Sequence, residues 1–180
     1  VMKKPTVKRV HLVFKTHLDI GFTDLPSVVV EKYLHTFLPQ ALDLAEEMRR
    51  RGGHERFVWT TGSWLICEYL EQTPHDRRWR IEDALKRGDL AWHALPFTTH
   101  TELLDPSLLR YGLRLSADLD RRFGRKTTAA TLTDVPGHTR SMVPLLAEAG
   151  VRLLHIGVNP ASRPPEVPPL FRWRHPEGAE

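Results

Sequence analysis

Cysteine is nearly absent: Cys67 is the single thiol in 180 residues. One sulfur can close no internal disulfide and can build no thiolate zinc site, so a metal held by this chain must be held by imidazole and carboxylate groups. The lone thiol also fits a reducing compartment. Long apolar runs are missing as well. None approaches the ~20 residues that cross a bilayer, and the Met2-Lys3-Lys4-Pro5 start has no apolar signal-peptide core. We therefore expect a cytoplasmic chain without a membrane partner. Charge of one sign is not in strong excess, with 26 Lys and Arg against 22 Asp and Glu. The basic clusters Arg49-Arg50-Arg51 and Arg121-Arg122 fall at the ends of helical patterns, where cations complement the helix dipole. No aromatic-interleaved basic stripe accompanies them, so nucleic acid is not expected as a partner. No internal repeat is evident. What is present, 41% hydrophobic and 27% charged residues, is the composition of a globular domain with a real core.

The organisation is an alternation of short apolar runs and helical patterns. Val10 to Phe14 reads as a strand buried on both faces. Pro26-Ser27 opens a helix with Val30, Leu34, Phe37, Ala41, Leu44 and Met48 inward, kinked or broken at Pro39 and ended by Gly52-Gly53. Phe57 to Thr61 is a second strand, after which Ser63 caps a helix carrying Trp64, Leu65 and Leu70. A further helix from Thr73-Pro74 turns Trp79, Ala84 and Leu85 inward and stops at Gly88. Leu90 to Leu95 is the third strand. Asp105-Pro106, a capping side chain followed by proline, opens a helix with Leu108, Leu109, Gly112, Leu115, Leu119 and Phe123 on one face, running to Gly124. Thr128 to Thr133, a helix from Thr139 to Ala149, and Val151 to Val158 complete five β/α units.

Such alternation implies parallel strands joined by right-handed crossovers, in a doubly wound sheet or part of a barrel, with ligands at the strands' C-terminal ends. From 159 to 180 proline crowds the chain (Pro160, Pro164, Pro165, Pro168, Pro169) and excludes helix. The last residues begin another strand-like unit, so the expectation is an incomplete domain: barrel units over 1–158, then a Pro-rich loop over 159–180.

The chemistry collects at the strand ends. His17 and Asp19, two apart after the first strand, share a face, with Gly21 allowing the turn beside them. Asp134 ends the fourth strand in the same grammar, followed by Val135-Pro136-Gly137-His138. An imidazole and two carboxylates are the donor set of a borderline divalent ion, zinc first, with cobalt and manganese as alternatives. His138 is a candidate contact around the ion or to substrate. His100 and Glu102, in the loop after the third strand, are candidate substrate contacts.

These motifs resemble the N-terminal catalytic domain of glycoside hydrolase family 38, the α-mannosidases, over most of the chain. Lys15-Thr16-His17-Leu18-Asp19-Ile20-Gly21-Phe22 mirrors the family's H-x-H-x-D-x-G-W. Asp134-Val135-Pro136-Gly137-His138-Thr139 mirrors its D-P-F-G-H-S, Met142 to Gly150 looks like its next helix, and Phe171 to Gly178 resembles its F-x-W-x-x-P-D-G stretch. Lys15, Phe22 and Val135-Pro136 depart from the pattern, which places the chain in a divergent branch.

The resemblance implies the first five strands of a seven-stranded (β/α) barrel. It implies His17 and Asp19 as metal ligands, and Asp134 as both ligand and catalytic nucleophile. A further His ligand and the acid/base carboxylate are implied beyond Glu180. The expected activity is metal-dependent retaining hydrolysis of α-mannosides or related glycosides, this chain alone being inactive. The competing readings are a metal-dependent carbohydrate deacetylase or amidase on a related barrel, and a non-catalytic sugar-binding fragment. Oligomeric state is not legible.

Overall fold

The computed structural model describes residues 8–180; the Met2-Lys3-Lys4-Pro5 start lies outside the described residues. Three parallel strands form one ladder: β1 (Phe14–Lys15), β2 (Trp59–Gly62) and β3 (Leu90–His93), with Lys15 opposite Thr60 and Gly62 opposite His93. Two more, β4 (Ala129–Leu132) and β5 (Leu153–Ile156), form a second parallel ladder in which Thr131 is opposite His155. A backbone bond from Ala94 N to Ala129 O, 2.9 Å, stitches the two ladders together. The strands thus follow one another in sequence order. Within each ladder the neighbouring strands are consecutive in sequence.

Among the described residues six α-helices connect the strands: α1 (Pro26–Lys32), α2 (Leu38–Arg50), α3 (Ser63–Gln72), α4 (Arg78–Arg87), α5 (Pro106–Phe123) and α6 (Met142–Glu148). The break expected at Pro39 takes the form of a π-helical turn over Tyr33–Phe37, in which Leu38 N donates to Tyr33 O, five residues back. A π turn spends one more residue than an α turn, so the inward face beyond it falls one residue late. Leu38 and Ala45 are buried where Phe37 and Leu44 were expected. The start of α5 is the capped one anticipated: the Asp105 carboxylate accepts from Ser107 N at 2.7 Å, and the helix stops at Gly124 in the left-handed conformation.

Several expectations fail for reasons of position. Trp79 points outward, 63% exposed, because the inward stripe of α4 is Ile81, Ala84 and Leu85. At ~100° per residue Trp79 lies on the far side of that stripe. Ser63 is the first residue of α3 rather than its cap, and its buried hydroxyl has no partner. Leu108 is exposed, its place on the inner face of α5 taken by Leu113 and Ser116. Residues 139–141 form a turn ahead of α6. Val10, Leu12 and Val13 are exposed, contrary to a strand buried on both faces, because β1 pairs only from Phe14 onward and only with β2.

Two apolar clusters lie between the strands and the helices. One joins Leu38 and Leu42 of α2 to Leu65 and Ile66 of α3, Ile81 and Leu85 of α4, and Leu90 and Trp92 of β3. The other joins Leu109 and Leu113 of α5 to Leu132 of β4 and Leu145 and Leu146 of α6. Each fully buried Leu or Ile contributes about 1.5–3 kcal/mol of transfer free energy. That leaves the opposite face of the strands to polar residues. Since parallel partners share a face, Lys15, Thr60, His93, Thr131 and His155 all lie opposite these clusters.

Candidate metal centre

β1 keeps its pairing for one residue past Lys15, with Thr16 N bonded to Thr60 O at 2.9 Å. His17, two residues beyond Lys15, is carried inward by the same alternation. Its Nε2 lies 2.9 Å from Asp19 Oδ1 and 3.2 Å from Asp134 Oδ2. The three side chains offer one ligand atom each, all within 4.8 Å of one another. Bonds of ~2.0–2.1 Å at a tetrahedral angle put ligand atoms about 3.3 Å apart. The observed separations from Nε2 fit an ion with little movement, and one nitrogen with two anionic oxygens fits zinc, cobalt or manganese.

Asp134 reaches the cluster through an unusual backbone. Its φ of 74° is the single positive value on a non-glycine among the described residues. Aspartate tolerates this region better than most residues, at a cost of about 1–2 kcal/mol for an L side chain. The conformation is held from β5: Asp134 N donates to Gly157 O at 3.1 Å, and Asn159 Nδ2 donates to Asp134 O at 2.8 Å.

Behind the cluster stands a set of contacts that the motifs did not indicate. Lys15 Nζ donates to Thr133 Oγ1 at 2.7 Å, and the same oxygen lies 3.4 Å from His17 Nδ1. Tyr33 Oη donates to the His17 carbonyl at 3.4 Å. Partial burial lowers the Lys15 pKa from its ordinary value. His93 is buried on the same inner face, and its pKa is pushed down to about 4, chiefly by burial and further by the Lys15 charge. The period-2 pattern could have identified two of these residues. Lys15 is two before His17, and Thr133 follows Thr131 at the same spacing. Asn159 had no such signal, since its role depends on β5 lying beside β4.

His100, Glu102 and His138 do not join the cluster. They occupy the loops after β3 and β4, tied by Thr101, whose buried hydroxyl accepts from Thr139 N at 3.1 Å and lies 3.3 Å from His138 Nδ1. The Glu102 carboxylate packs against Gly137, where an added Cβ would sit 3.0 Å from Oε2. The His138 pKa is lowered, mainly by burial and in part by His100, with Glu102 opposing. His100 and Glu102 are themselves exposed. Among the described residues, one cavity of about 270 Å³ lies between the π-helical turn, α3 and α4, and a groove of about 340 Å³ is lined by Tyr33, Phe37, Phe57 and Trp59. Neither contains the cluster, which sits on the open rim of the arc.

No helix of the described residues is long and apolar enough to cross a membrane. No family model matches the sequence, and no curated protein does. Among solved structures the chain is similar to the 4-alpha-glucanotransferase from Thermococcus litoralis, at 19% identity and a TM-score of 0.56 over 79% of this chain. The match covers 21% of that protein, so this chain spans about a fifth of its length. At that identity the likeness concerns the fold: a mixed α/β arrangement of short parallel strands and helices, shared with part of a (β/α)-barrel protein.

Proposed function

We propose that this chain carries the metal-ligating part of a metal-dependent retaining glycoside hydrolase acting on α-mannosides or related glycosides. The described part of 1–158 is read as five β/α units of a seven-stranded (β/α) barrel, and 159–180 as a Pro-rich loop. The observation that carries the reading is the meeting of His17 Nε2 with carboxylate oxygens of Asp19 and Asp134 on one rim, from strands β1 and β4. A fold shared with a glucanotransferase supports a carbohydrate substrate.

His17, Asp19 and Asp134 are the residues that would hold the ion. A divalent ion there supplies a Lewis-acid grip on sugar hydroxyls. The Asp134 side chain, 49% exposed, can be approached by an anomeric carbon from solvent. Its carboxylate attacks that carbon as the glycosidic bond breaks, giving a glycosyl ester that water then releases with overall retention. Departure of the leaving oxygen calls for a second carboxyl about 5–5.5 Å from the first. His100, Glu102 and His138 are assigned to sugar hydroxyls along the rim next to Asp134.

The test is hydrolysis of an aryl α-mannoside by the full-length protein, with and without chelator, the product anomer being read by proton NMR. Chelator-sensitive cleavage with retention is expected. Acetate release from an N-acetylated sugar without glycoside cleavage would replace this reading with a deacetylase, and sugar binding without either would replace it with a binding module.

A further inference from the structure

Thr133 precedes Asp134 on the inner face of the arc, and its hydroxyl is shared by two side chains from the first strand. Lys15 Nζ donates to Oγ1 at 2.7 Å, and His17 Nδ1 lies 3.4 Å from the same atom. These contacts bridge 118 and 116 positions of sequence. The other edge of the His17 ring, Nε2, faces Asp19 Oδ1 at 2.9 Å and Asp134 Oδ2 at 3.2 Å. The imidazole is therefore contacted at both nitrogens, by a hydroxyl on one side and two carboxylates on the other.

A threonine hydroxyl offers two lone pairs and one hydrogen, whereas an ammonium group only donates. Lys15 therefore occupies one lone pair of Oγ1, and the second is free to accept the Nδ1–H of His17. An imidazole that carries its proton on Nδ1 presents a lone pair at Nε2, which is the edge a cation between the two carboxylates needs. We propose that Thr133, held in place by Lys15, is the positioning residue of His17: it orients the ring and keeps the proton on Nδ1, so that Nε2 is the ligand atom. This inference rests on the metal-binding reading of the cluster.

A purely structural strap between β1 and β4 would use the same contacts, but its loss would lower stability and leave the metal's surroundings unchanged. The experiment separates the two. Zinc affinity is measured by competition with a chromogenic chelator in the full-length protein, for wild type, Thr133→Val, Thr133→Ser and His17→Ala. The visible absorption of the cobalt(II) form is the second readout. Thr133→Val is isosteric and removes only the hydroxyl. It is expected to weaken zinc binding roughly 10–100-fold and to shift the cobalt bands, while Thr133→Ser, which keeps the oxygen, stays within about threefold of wild type. Should Thr133→Val fail to fold, Thr133→Ala takes its place with the same expected loss. Unchanged zinc affinity in the folded variant, or a serine variant no better than the valine one, overturns the inference and leaves the metal site standing. Zinc binding by wild type no tighter than by His17→Ala overturns the metal reading, and the inference with it.

Discussion

Asp134 is where the fold and the site pull in opposite directions, and a substitution series at this position measures the conflict. Its backbone sits at φ 74°, a region that costs an L residue about 1–2 kcal/mol and glycine almost nothing. Glycine gives back roughly 0.5–1 kcal/mol through the greater freedom of its unfolded chain. The two bonds that hold this conformation, to Gly157 O and from Asn159 Nδ2, engage the Asp134 main chain and survive any side-chain change. The His17 ion pair is half exposed, and such pairs contribute at most about 1 kcal/mol.

Asp134→Gly should therefore be as stable as wild type or more stable by up to about 1 kcal/mol. Asp134→Asn should be close to neutral, since asparagine enters the same region. Asp134→Ala should fall below the glycine variant by about 0.5–1 kcal/mol, the left-handed strain less what glycine gives back. All three should lose zinc binding and turnover, because each removes the same charge. The assay is urea denaturation at pH 8 with chelator present, alongside zinc titration. An alanine variant as stable as the glycine one would refute the argument that strain is stored at this residue. Near-normal turnover by Asp134→Asn at saturating metal would remove the glycosidase mechanism.

Three further outcomes are expected. His93 titrates near 4 in the folded chain against an ordinary value of 6.5. The unfolded chain therefore takes up its proton first, and stability that is full above about 6.5 falls as pH drops toward 4, by up to ~3 kcal/mol; in His93→Gln, chemical denaturation across that window should show this component gone. Gly62→Ala should destabilise by several kcal/mol, on the order of an overpacked core, since its Cβ would sit 2.7 Å from the Pro96 carbonyl carbon and 3.2 Å from Phe97 Cα; thermal melting of the variant checks it. Zinc at a hundred times its dissociation constant should raise the unfolding free energy by about 2.7 kcal/mol, an increment that His17→Ala abolishes in the same melts.

Some of this protein could be read from local sequence because the physics involved is local. Asp105, Pro106 and Gly124 delimit α5 through a capping bond and a left-handed stop, each acting within one turn. The alternation of strand and helix patterns was legible for the same reason, as was the choice of imidazole and carboxylate as the available metal donors in a chain with one cysteine. His17, Asp19 and Asp134 could be identified as candidates from the strand ends they follow.

Faces and meetings were not local, and only the tertiary structure decided them. Phe37 and Leu44 are turned aside by one extra residue in a π-helical turn. The exposure of Val10, Leu12 and Val13 depends on where β2 begins to pair. The left-handed backbone of Asp134 depends on hydrogen bonds from β5 and the residues after it. The sharing of Thr133 by Lys15 and His17 depends on the arc bringing the ends of β1 and β4 together. Capping and periodicity act over one or two turns of chain, whereas a side chain's partners across more than a hundred residues are set by how the helices pack the strands into a curve.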